Sequence, residues 1–213
     1  GYRFPSMAEL FISTNQSGLE IYPNPDLKPE SGWSTEIGIK QGVRLGNWMG
    51  YLDVAAFLMR YDDMMEFTFS LWGEKGPGFK SVNVGETQIS GIEFSMTGQG
   101  KVSEDITINI LAGYTYMNPI PLDLDKMYST DVSGKESTYR NSSSDTTVLK
   151  YRYKHLVKID TEIIYKKVSL GASFRYNDFM KNIDLAFTDA LLASSIPDIN
   201  ESRDKFKNGE MTG

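Results

Sequence analysis

Apolar and polar residues alternate along most of this chain, and a period of two is the pattern of a β-strand whose two faces lie in different surroundings. In segment 33–43, Trp33, Ile37 and Ile39 lie on one face, whereas Glu36 and Lys40 lie on the other. Five further segments repeat the pattern: 49–61, 91–97, 106–116, 152–165 and 168–177. We therefore predict an all-β protein with about six strands.

Segment 49–61 follows the alternation least well, because both of its faces are apolar. Asp53 is the residue that distinguishes them, since it lies on the face opposite to Leu52, Val54 and Ala56. A carboxylate is far more costly to bury in an apolar medium than an aliphatic side chain. We therefore predict that the Leu52 face points outward, toward the apolar surroundings.

The connections between these segments alternate in length. Short ones lie at 44–48, 103–105 and 166–167, and long ones run over 62–81, over 118–149 and from residue 178 to the end. Short turns at one rim and long loops at the other are typical of an antiparallel outer-membrane barrel. The predicted strands have about 10 to 13 residues, compared with about 5 or 6 in globular proteins. These features predict an antiparallel transmembrane β-barrel.

Aromatic side chains lie near the ends of the apolar faces: Trp33, Trp48, Tyr114, Tyr116, Tyr151, Tyr153, Tyr165 and Tyr176. Such girdles mark the two membrane interfaces of a barrel. A soluble antiparallel sandwich also alternates apolar and polar residues, with its apolar side inward, and it stays open as an alternative. The girdles and the strand lengths favour the barrel.

Composition excludes several classes of protein. No stretch approaches the roughly 18 to 20 apolar residues of a membrane-spanning helix, and a mean hydropathy of −0.35 agrees with strands that are apolar on one face. The net charge is −6 and basic residues do not cluster, which argues against a nucleic acid partner. The chain has no cysteine, so neither a disulfide framework nor a thiolate metal site is predicted.

Two motifs near the start carry a resemblance to a known family. Residues 1–11, Gly-Tyr-Arg-Phe-Pro-Ser-Met-Ala-Glu-Leu-Phe, resemble the G-F-R-x-P-S-x-x-E-L-F segment of TonB-dependent receptors. Residues 24–30, Asn-Pro-Asp-Leu-Lys-Pro-Glu, are similar to the N-P-D-L-K-P-E signature of that family. Residues 33–40 and 91–94 look like its E-x-G-x-K and G-V-E-L strands. Residues 149–155 are similar to its L-x-Y-R-P-x-H approach to a late strand, with Tyr153 in place of the proline.

This resemblance implies a barrel of about twenty-two strands that is plugged by a separate N-terminal domain. Residues 1–213 are then expected to form part of that barrel, without the plug, the early strands or the last strands. The implied function is import of a scarce nutrient (a siderophore, cobalamin or a glycan) through the bacterial outer membrane. The implied partners are the membrane lipids, the TonB complex through the absent N-terminal part, and the nutrient itself. A surface lipoprotein is a further candidate partner.

Aromatic residues on the long connections are the predicted ligand contacts: Trp72, Phe79, Tyr128 and Tyr139. Flat rings at the mouth of a barrel can stack on sugars or on aromatic chelators. Packing within the loops is the competing explanation for the same residues. The segment 184–195 is apolar enough to form a short helix that ends before Pro197, or to pack against the rim of the barrel.

Other reactive side chains do not form a convincing catalytic or metal site. His155 is the only histidine, and a single histidine without a second ligand is usually a rim or core residue. The acidic pairs Asp62/Asp63 and Asp123/Asp125 have a spacing that fits a cation site only weakly. Charges on the predicted inner face are expected to form cross-strand pairs or to contact a plug. No enzyme activity, cofactor or metal is therefore predicted.

Three functions remain for the sequence as a whole. Active uptake through a TonB-dependent barrel fits the motif at residues 24–30. A passive porin or structural outer-membrane barrel fits the alternation but not that motif. A secreted β-sandwich that binds carbohydrate fits the alternation only if the apolar faces pack inward.

Overall fold

The computed structural model describes residues 1–16 and 19–188, together with residues 201, 204 and 205. Antiparallel strands dominate these residues. In chain order the strands are β1 Tyr2–Arg3, β2 Thr14–Gln16, β3 Leu19–Tyr22, β4 Glu30–Leu45, β5 Trp48–Asp62, β6 Met65–Leu71, β7 Pro77–Asn83, β8 Thr87–Lys101, β9 Ile106–Pro121, β10 Met127–Thr130, β11 Glu136–Thr138, β12 His155–Tyr165 and β13 Val168–Asn177. Two short α-helices are α1 Met7–Phe11 and α2 Tyr139–Ser142. No helix among the described residues is long and apolar enough to span a membrane.

The largest sheet in the described residues has the strand order β1-β4-β5-β8-β9-β12-β13. All of its neighbouring strands are antiparallel. Its six long strands have between 10 and 16 residues. Five of the six predicted segments lie within them, and the sixth, 152–165, is a strand only from His155 onward. The predicted all-β meander is therefore confirmed, as an open sheet with β1 and β13 at its two ends.

Short turns join these strands in pairs at one end of the sheet. Gly46 and Asn47 connect β4 to β5, and Gly46 has a φ of 60°, in the region that glycine adopts without a steric cost. Lys166 and Lys167 connect β12 to β13. The segment from Val102 to Asp105 connects β8 to β9. The three predicted short connections are confirmed.

The strand register places apolar residues opposite one another across the whole sheet. Residues that face each other across the strands form one continuous row: Ile39, Val54, Phe94, Tyr114, Val157 and Tyr176. Directly opposed residues lie on the same face, so Val54 shares its face with Ile39. Leu52, Val54 and Ala56 therefore lie on the apolar face of the sheet and Asp53 on its polar face, as predicted; the outward direction of the apolar face stays a prediction.

The row one residue further along lies on the opposite face and is polar: Lys40, Asp53, Ser95, Gly113, Lys158 and Arg175. Side chains on this face interact within and across the strands, as the sequence predicts. Lys40 lies 3.9 Å from Asp53 on the neighbouring strand, and Lys158 lies 3.0 Å from Asp160. Asn109 donates a hydrogen bond of 2.8 Å to Glu162 across β9 and β12.

Aromatic residues lie on the apolar face near both ends of the strands. Trp48, next to the short turn, covers the positions of Gly98 and Gly100, where an added Cβ would lie within 2.7 Å of its ring. At the other end, the Tyr114 hydroxyl is 2.9 Å from His155 Nδ1, and the Tyr116 ring lies 5.1 Å from the His155 ring. The single histidine is therefore part of an aromatic rim.

The long connections are not irregular loops, which corrects the expectation for 62–81 and 118–149. In the described residues, β2, β3, β7 and β6 form a second sheet, in which β3 and β7 are parallel, and β10 pairs with β11. Together these connections form what we call the outer assembly: the described residues of 1–29 together with 63–86, 122–154 and 178–188. It has its own hydrophobic core of Met64, Val82, Val84, Tyr139 and Leu149. Such burial stabilises long connections that would otherwise lose too much conformational entropy on ordering.

The helix predicted over 184–195 is not present in its described part, where only Leu185–Phe187 form one turn of 3-10 helix. The first hydrogen-bonded turn of a helix fixes several residues for little gain, and here Asp184 bonds to other elements instead. Residues 189–195 lie outside the described residues.

The two motifs near the start of the chain bind to each other. Arg3 donates a hydrogen bond of 2.8 Å to Glu30 and one of 2.9 Å to Glu9. Ser6 and Glu9 form a capping box at the start of α1, in which each side chain bonds to the backbone of the other residue. Glu30 also accepts a hydrogen bond of 2.9 Å from the Met65 amide. The first motif is thereby fixed to the beginning of both β4 and β6.

The motif at 24–30 is bound to β7 within the outer assembly and leads directly into β4. Asn24 donates to the Ser81 carbonyl at 2.8 Å, and the Asn83 side chain bonds to both the amide and the carbonyl of Lys28 at 2.9 Å. Leu27 is buried beside these contacts. These contacts fix the course of the loop itself.

The glycines under Trp48 provide a test of this packing. Gly98→Ala would place a methyl group 2.0 Å from Trp48 Cζ2, so we expect it to lower the free energy of unfolding by about 1 to 3 kcal/mol. Gly42→Ala is the matched control, because its nearest atom, Tyr51 Cε1, would be 3.7 Å away. Denaturant unfolding in lipid vesicles measures both. Equal stabilities of the two variants would contradict the packing of Trp48 over these glycines.

Candidate functional site

A buried ion pair lies at the centre of the outer assembly. Lys150 Nζ donates to Asp184 Oδ1 at 2.5 Å, and both side chains are only 1% exposed. A buried charge is tolerated when its partner and further hydrogen bonds replace the water that it loses. Both groups have such bonds: Lys150 also donates to Thr68 at 3.1 Å and to Ser142 at 2.9 Å.

Asp184 accepts hydrogen bonds from three more groups, which belong to two other connections. The Thr68 hydroxyl donates to it at 2.7 Å and the Phe69 amide at 3.0 Å, both from β6. The Tyr151 hydroxyl donates at 2.8 Å. Because 63–86, 122–154 and 178–188 are separate connections, this single carboxylate holds all three together.

Tyr151 has a backbone conformation that is unusual for a residue with a side chain, with a φ of 56°. That region costs a non-glycine residue about 1 to 3 kcal/mol, and it persists only where the surroundings fix it. Here the Tyr151 amide donates to the Asn182 carbonyl at 2.8 Å, while its hydroxyl bonds to Asp184. The conformation directs the next residue, Arg152, toward β6, where its Nη2 lies 3.7 Å from Glu66.

A cluster of phenylalanine rings lies beside this ion pair. The Phe67 and Phe79 rings are stacked with centroids 5.0 Å apart and planes 6° apart. Phe187 stacks on Phe79 at 5.8 Å, and Phe69 meets Phe79 edge-on at 5.4 Å. Phe67 remains 45% exposed, so the cluster offers an open aromatic surface.

Glu66 and Arg152 line a cavity of about 690 Å³ next to these rings. Glu66 is buried, and its Oε1 has no hydrogen-bond partner among the described residues. Arg152 forms an ion pair with it, but the Arg152 Nη2 lies 3.7 Å from this oxygen. Burial raises the pKa of Glu66 from 4.5 to about 7, and the positive charges of Arg152 and Lys150 oppose that rise. An apolar cavity with a few polar groups and a shifted pKa is typical of a ligand site.

The four predicted ligand contacts occupy different environments within the outer assembly. Phe79 lines the cavity of Glu66. Trp72 is half-buried, donates from Nε1 to the Gly78 carbonyl at 2.8 Å, and lies with Tyr22, Lys75 and Lys80 around a smaller hollow of about 290 Å³. The structure therefore brings two of the four to the edges of cavities.

Tyr128 and Tyr139 pack against Lys150, with their ring centroids 5.9 and 5.1 Å from its Nζ. Tyr128 is half-buried, but Tyr139 is only 1% exposed, which corrects the expectation that it is an exposed loop residue. Its ring fills the core of the outer assembly, and its hydroxyl accepts a hydrogen bond of 2.5 Å from the Lys150 amide. A buried ring of this kind can contact a ligand only if the connections separate.

The acidic pairs are engaged by basic side chains. Lys126 pairs with Asp63, and Arg140 binds Asp125 through two hydrogen bonds of 2.7 and 2.8 Å. Among the described residues, no group of three or more His, Cys, Asp or Glu side chains is arranged to hold a metal ion. These carboxylates therefore join parts of the outer assembly.

Sequence reasoning missed Glu66, Lys150, Arg152 and Asp184. The motif at 149–155 and the segment 184–195 drew attention to three of these positions, but as a strand approach and a helix. Lys150 and Asp184 are 34 residues apart, and nothing in the spacing shows that they meet. One signal was available: Lys150 follows the apolar residues Val148 and Leu149, an unusual setting for a lysine unless it is paired.

Comparisons with known proteins find one matching family model and similar solved structures. Residues 1–197 match a family model described as "TonB dependent receptor-like, beta-barrel". A search of curated proteins finds no match. Among solved structures, the copper transporter OprC is similar to this chain, with 15% sequence identity and a TM-score of 0.44, over 83% of this chain and 22% of that chain. The chain thus spans about a fifth of that transporter's length.

The buried ion pair generates the first prediction for this site. Lys150→Met leaves Asp184 buried without its counter-ion, so we expect the free energy of opening of the outer assembly to fall by about 3 to 5 kcal/mol. Hydrogen exchange of the Phe69 and Tyr151 amides measures that opening. Arg140→Met is the control, because water screens the exposed Arg140–Asp125 pair and its loss should change the opening little. Unchanged exchange in Lys150→Met would contradict the role of the pair.

The raised pKa of Glu66 generates the second prediction. Between about pH 4.5 and 7, this carboxyl ionises in an opened assembly but stays protonated in the closed one. The closed state therefore loses about 3 kcal/mol as pH rises through this window, and no more above it. Other carboxyls titrate too, so the quantity to measure is the difference in opening free energy between the wild type and Glu66→Gln. A difference that does not change from pH 4.5 to 7 would contradict the burial of this carboxyl.

Proposed function

This chain belongs to the family of TonB dependent receptor-like β-barrels, and we propose that it forms part of the barrel wall and outer surface of a transporter that imports a nutrient across the bacterial outer membrane. The observation that carries the proposal is the continuous apolar face of the large sheet. Ile37 and Ile39 on this face are 78% and 73% exposed. An apolar surface of this extent needs an apolar partner, and the lipid core of a membrane supplies one.

The polar face of the sheet is the proposed lumen. It borders a hollow of about 920 Å³, and its lining includes Arg44, Asn109, Asp160 and Glu162. Paired charges and amides of this kind suit contact with water or with another polar surface. We propose that this surface is the plug domain of the family, outside this chain, and that the plug transmits energy from the TonB complex.

The outer assembly is the proposed site of nutrient capture. It lies at the end of the sheet opposite the short turns, as the extracellular loops of outer-membrane barrels do. Phe79, Trp72 and Tyr128 remain the proposed aromatic contacts, and Tyr139 joins them only in an opened assembly. A surface lipoprotein that covers this assembly is a further proposed partner. Binding and transport, rather than catalysis, are the proposed activity.

The two rival functions differ in what they require. A secreted β-sandwich needs a second sheet packed on the apolar face, whereas Ile37, Ile39 and Leu170 on that face are strongly exposed. A passive porin needs an open lumen and no energy source. The family match favours the energised transporter over the porin.

A two-part experiment tests the proposed function. We expect the protein to sediment with the outer membrane and to need detergent for extraction. We also expect deletion of its gene to abolish growth on its nutrient at limiting concentration, and deletion of the TonB system to have the same effect. Recovery of the full-length protein in the soluble fraction would favour the sandwich. Uptake that persists without the TonB system would favour the porin.

A further inference from the structure

We propose that the cavity lined by Glu66, Arg152, Phe67, Phe79 and Phe187 is a saccharide-binding subsite that holds an uncharged, hydroxyl-rich ring. This inference rests on the proposed function, because it names the substrate class of the same outer surface. We call this cavity the Glu66 subsite. Three features of the described residues support it: an acceptor without a donor, a balance of charge, and a flat aromatic wall.

Glu66 Oε1 is an acceptor that the described residues leave without a donor. A buried oxygen in this state loses its hydration without a replacement. This loss lowers the folding equilibrium constant several-fold or more. The nearest charged group, Arg152 Nη2, is 3.7 Å away, too far for a hydrogen bond. A ligand hydroxyl in the cavity would supply the missing donor.

Arg152 complements this acceptor. Its Nη1 lies 3.4 Å from the Lys150 carbonyl and 3.5 Å from the Tyr151 carbonyl. A guanidinium has five N–H donors in a planar fork, so groups beyond Nη1 can donate to a ligand oxygen. A hydroxyl both donates and accepts, and two hydroxyls on neighbouring ring carbons can therefore satisfy Glu66 and Arg152 together.

The charges around the subsite are balanced, and this selects for an uncharged ligand. Lys150 is paired with Asp184, and Arg152 faces Glu66. When Glu66 is ionised, it would repel an anion in the cavity, and Arg152 would repel a cation, in surroundings of low dielectric. A polyhydroxylated neutral ring uses both Glu66 and Arg152 without adding a charge.

The aromatic wall supplies a surface for the apolar face of such a ring. Phe67 stacks on Phe79 through one face of its ring and is 45% exposed, which leaves the other face of Phe67 to a ligand. The C–H groups on one side of a sugar ring can pack against aromatic faces in this way. A cavity of about 690 Å³ lies within the usual range of ligand pockets, about 300 to 1,000 Å³.

The subsite is also preorganised. Tyr151 and Lys150 hold the backbone before Arg152 through Asp184 and Asn182, and β6 and β7 hold the phenylalanines in register. A site whose groups are already in place loses little freedom when it binds. The buried ion pair therefore supports the subsite without contacting the ligand.

Binding of trisaccharides to the intact receptor in detergent tests the subsite. The neutral set is maltotriose, cellotriose, laminaritriose and mannotriose, and the charged comparisons are the trimers of galacturonic acid and of glucosamine. We expect calorimetry or saturation-transfer NMR to detect at least one neutral trisaccharide, with an affinity that salt changes little. Binding confined to the charged trimers, or to none, would overturn the proposal.

Variants locate the binding. At about pH 8, where Glu66 is ionised, we expect Glu66→Gln to weaken the neutral trisaccharide about tenfold and Phe67→Leu about three- to tenfold. The matched controls are Glu74→Gln and Phe4→Leu, both exposed and outside the cavity, and they should leave affinity unchanged. Arg152→Gln provides a third variant if Glu66→Gln does not fold. Equal affinities of wild type and folded cavity variants would contradict the assignment.

The subsite and the proposed function can fail separately. If the TonB system drives uptake of another nutrient while no neutral trisaccharide binds, the subsite is wrong and the transport function stands. If a neutral trisaccharide binds at Glu66 but uptake does not depend on the TonB system, the subsite stands and the energised transport is wrong.

Discussion

A strand that crosses an apolar layer must pair its backbone with neighbours and present an apolar side chain at every second position. That constraint accounts for the large sheet of this protein. The register aligns Ile39, Val54, Phe94, Tyr114, Val157 and Tyr176 in one row, and the next row is polar in every strand except for one glycine. A slip of one residue in any strand would move its charges to the apolar face. Register, strand length and the short turns are therefore consequences of one requirement.

The outer assembly is built on a different principle. Its connections are too long to be ordered by turns alone, and they bury a core of their own around Tyr139 and Leu149. Lys150 and Asp184 join three of these connections through five hydrogen-bond contacts. Such a pair fixes one arrangement, because each charge is costly without the other. The result is one connected surface at the end of the large sheet, with the Glu66 subsite at its side.

Sequence reasoning reached the large sheet because alternation is a local property. Asp53 alone was sufficient to tell the two faces of the doubly apolar segment 49–61 apart, and the register places them as predicted, with Val54 beside Ile39 and Asp53 beside Lys40. The outer assembly was out of reach, since its contacts join residues as distant as Thr68 and Asp184, which are 116 residues apart. Local signals predicted Tyr139 as a loop aromatic, but tertiary packing buries it. The Ser6–Glu9 capping box was a local signal that could have been recognised from sequence.

The central claim is that the apolar row of the large sheet faces lipid and the polar row faces the lumen. The 213 residues contain no cysteine, so single cysteines at positions 92–97 of β8, in a full-length protein without any other cysteine, can carry nitroxide labels in the membrane. Electron paramagnetic resonance then measures collisions with oxygen, which concentrates in lipid, and with a water-soluble nickel chelate. The account predicts that oxygen access peaks at Ile92, Phe94 and Met96, and nickel access at Glu93, Ser95 and Thr97. Equal access at all six positions, or the opposite phase, would contradict it.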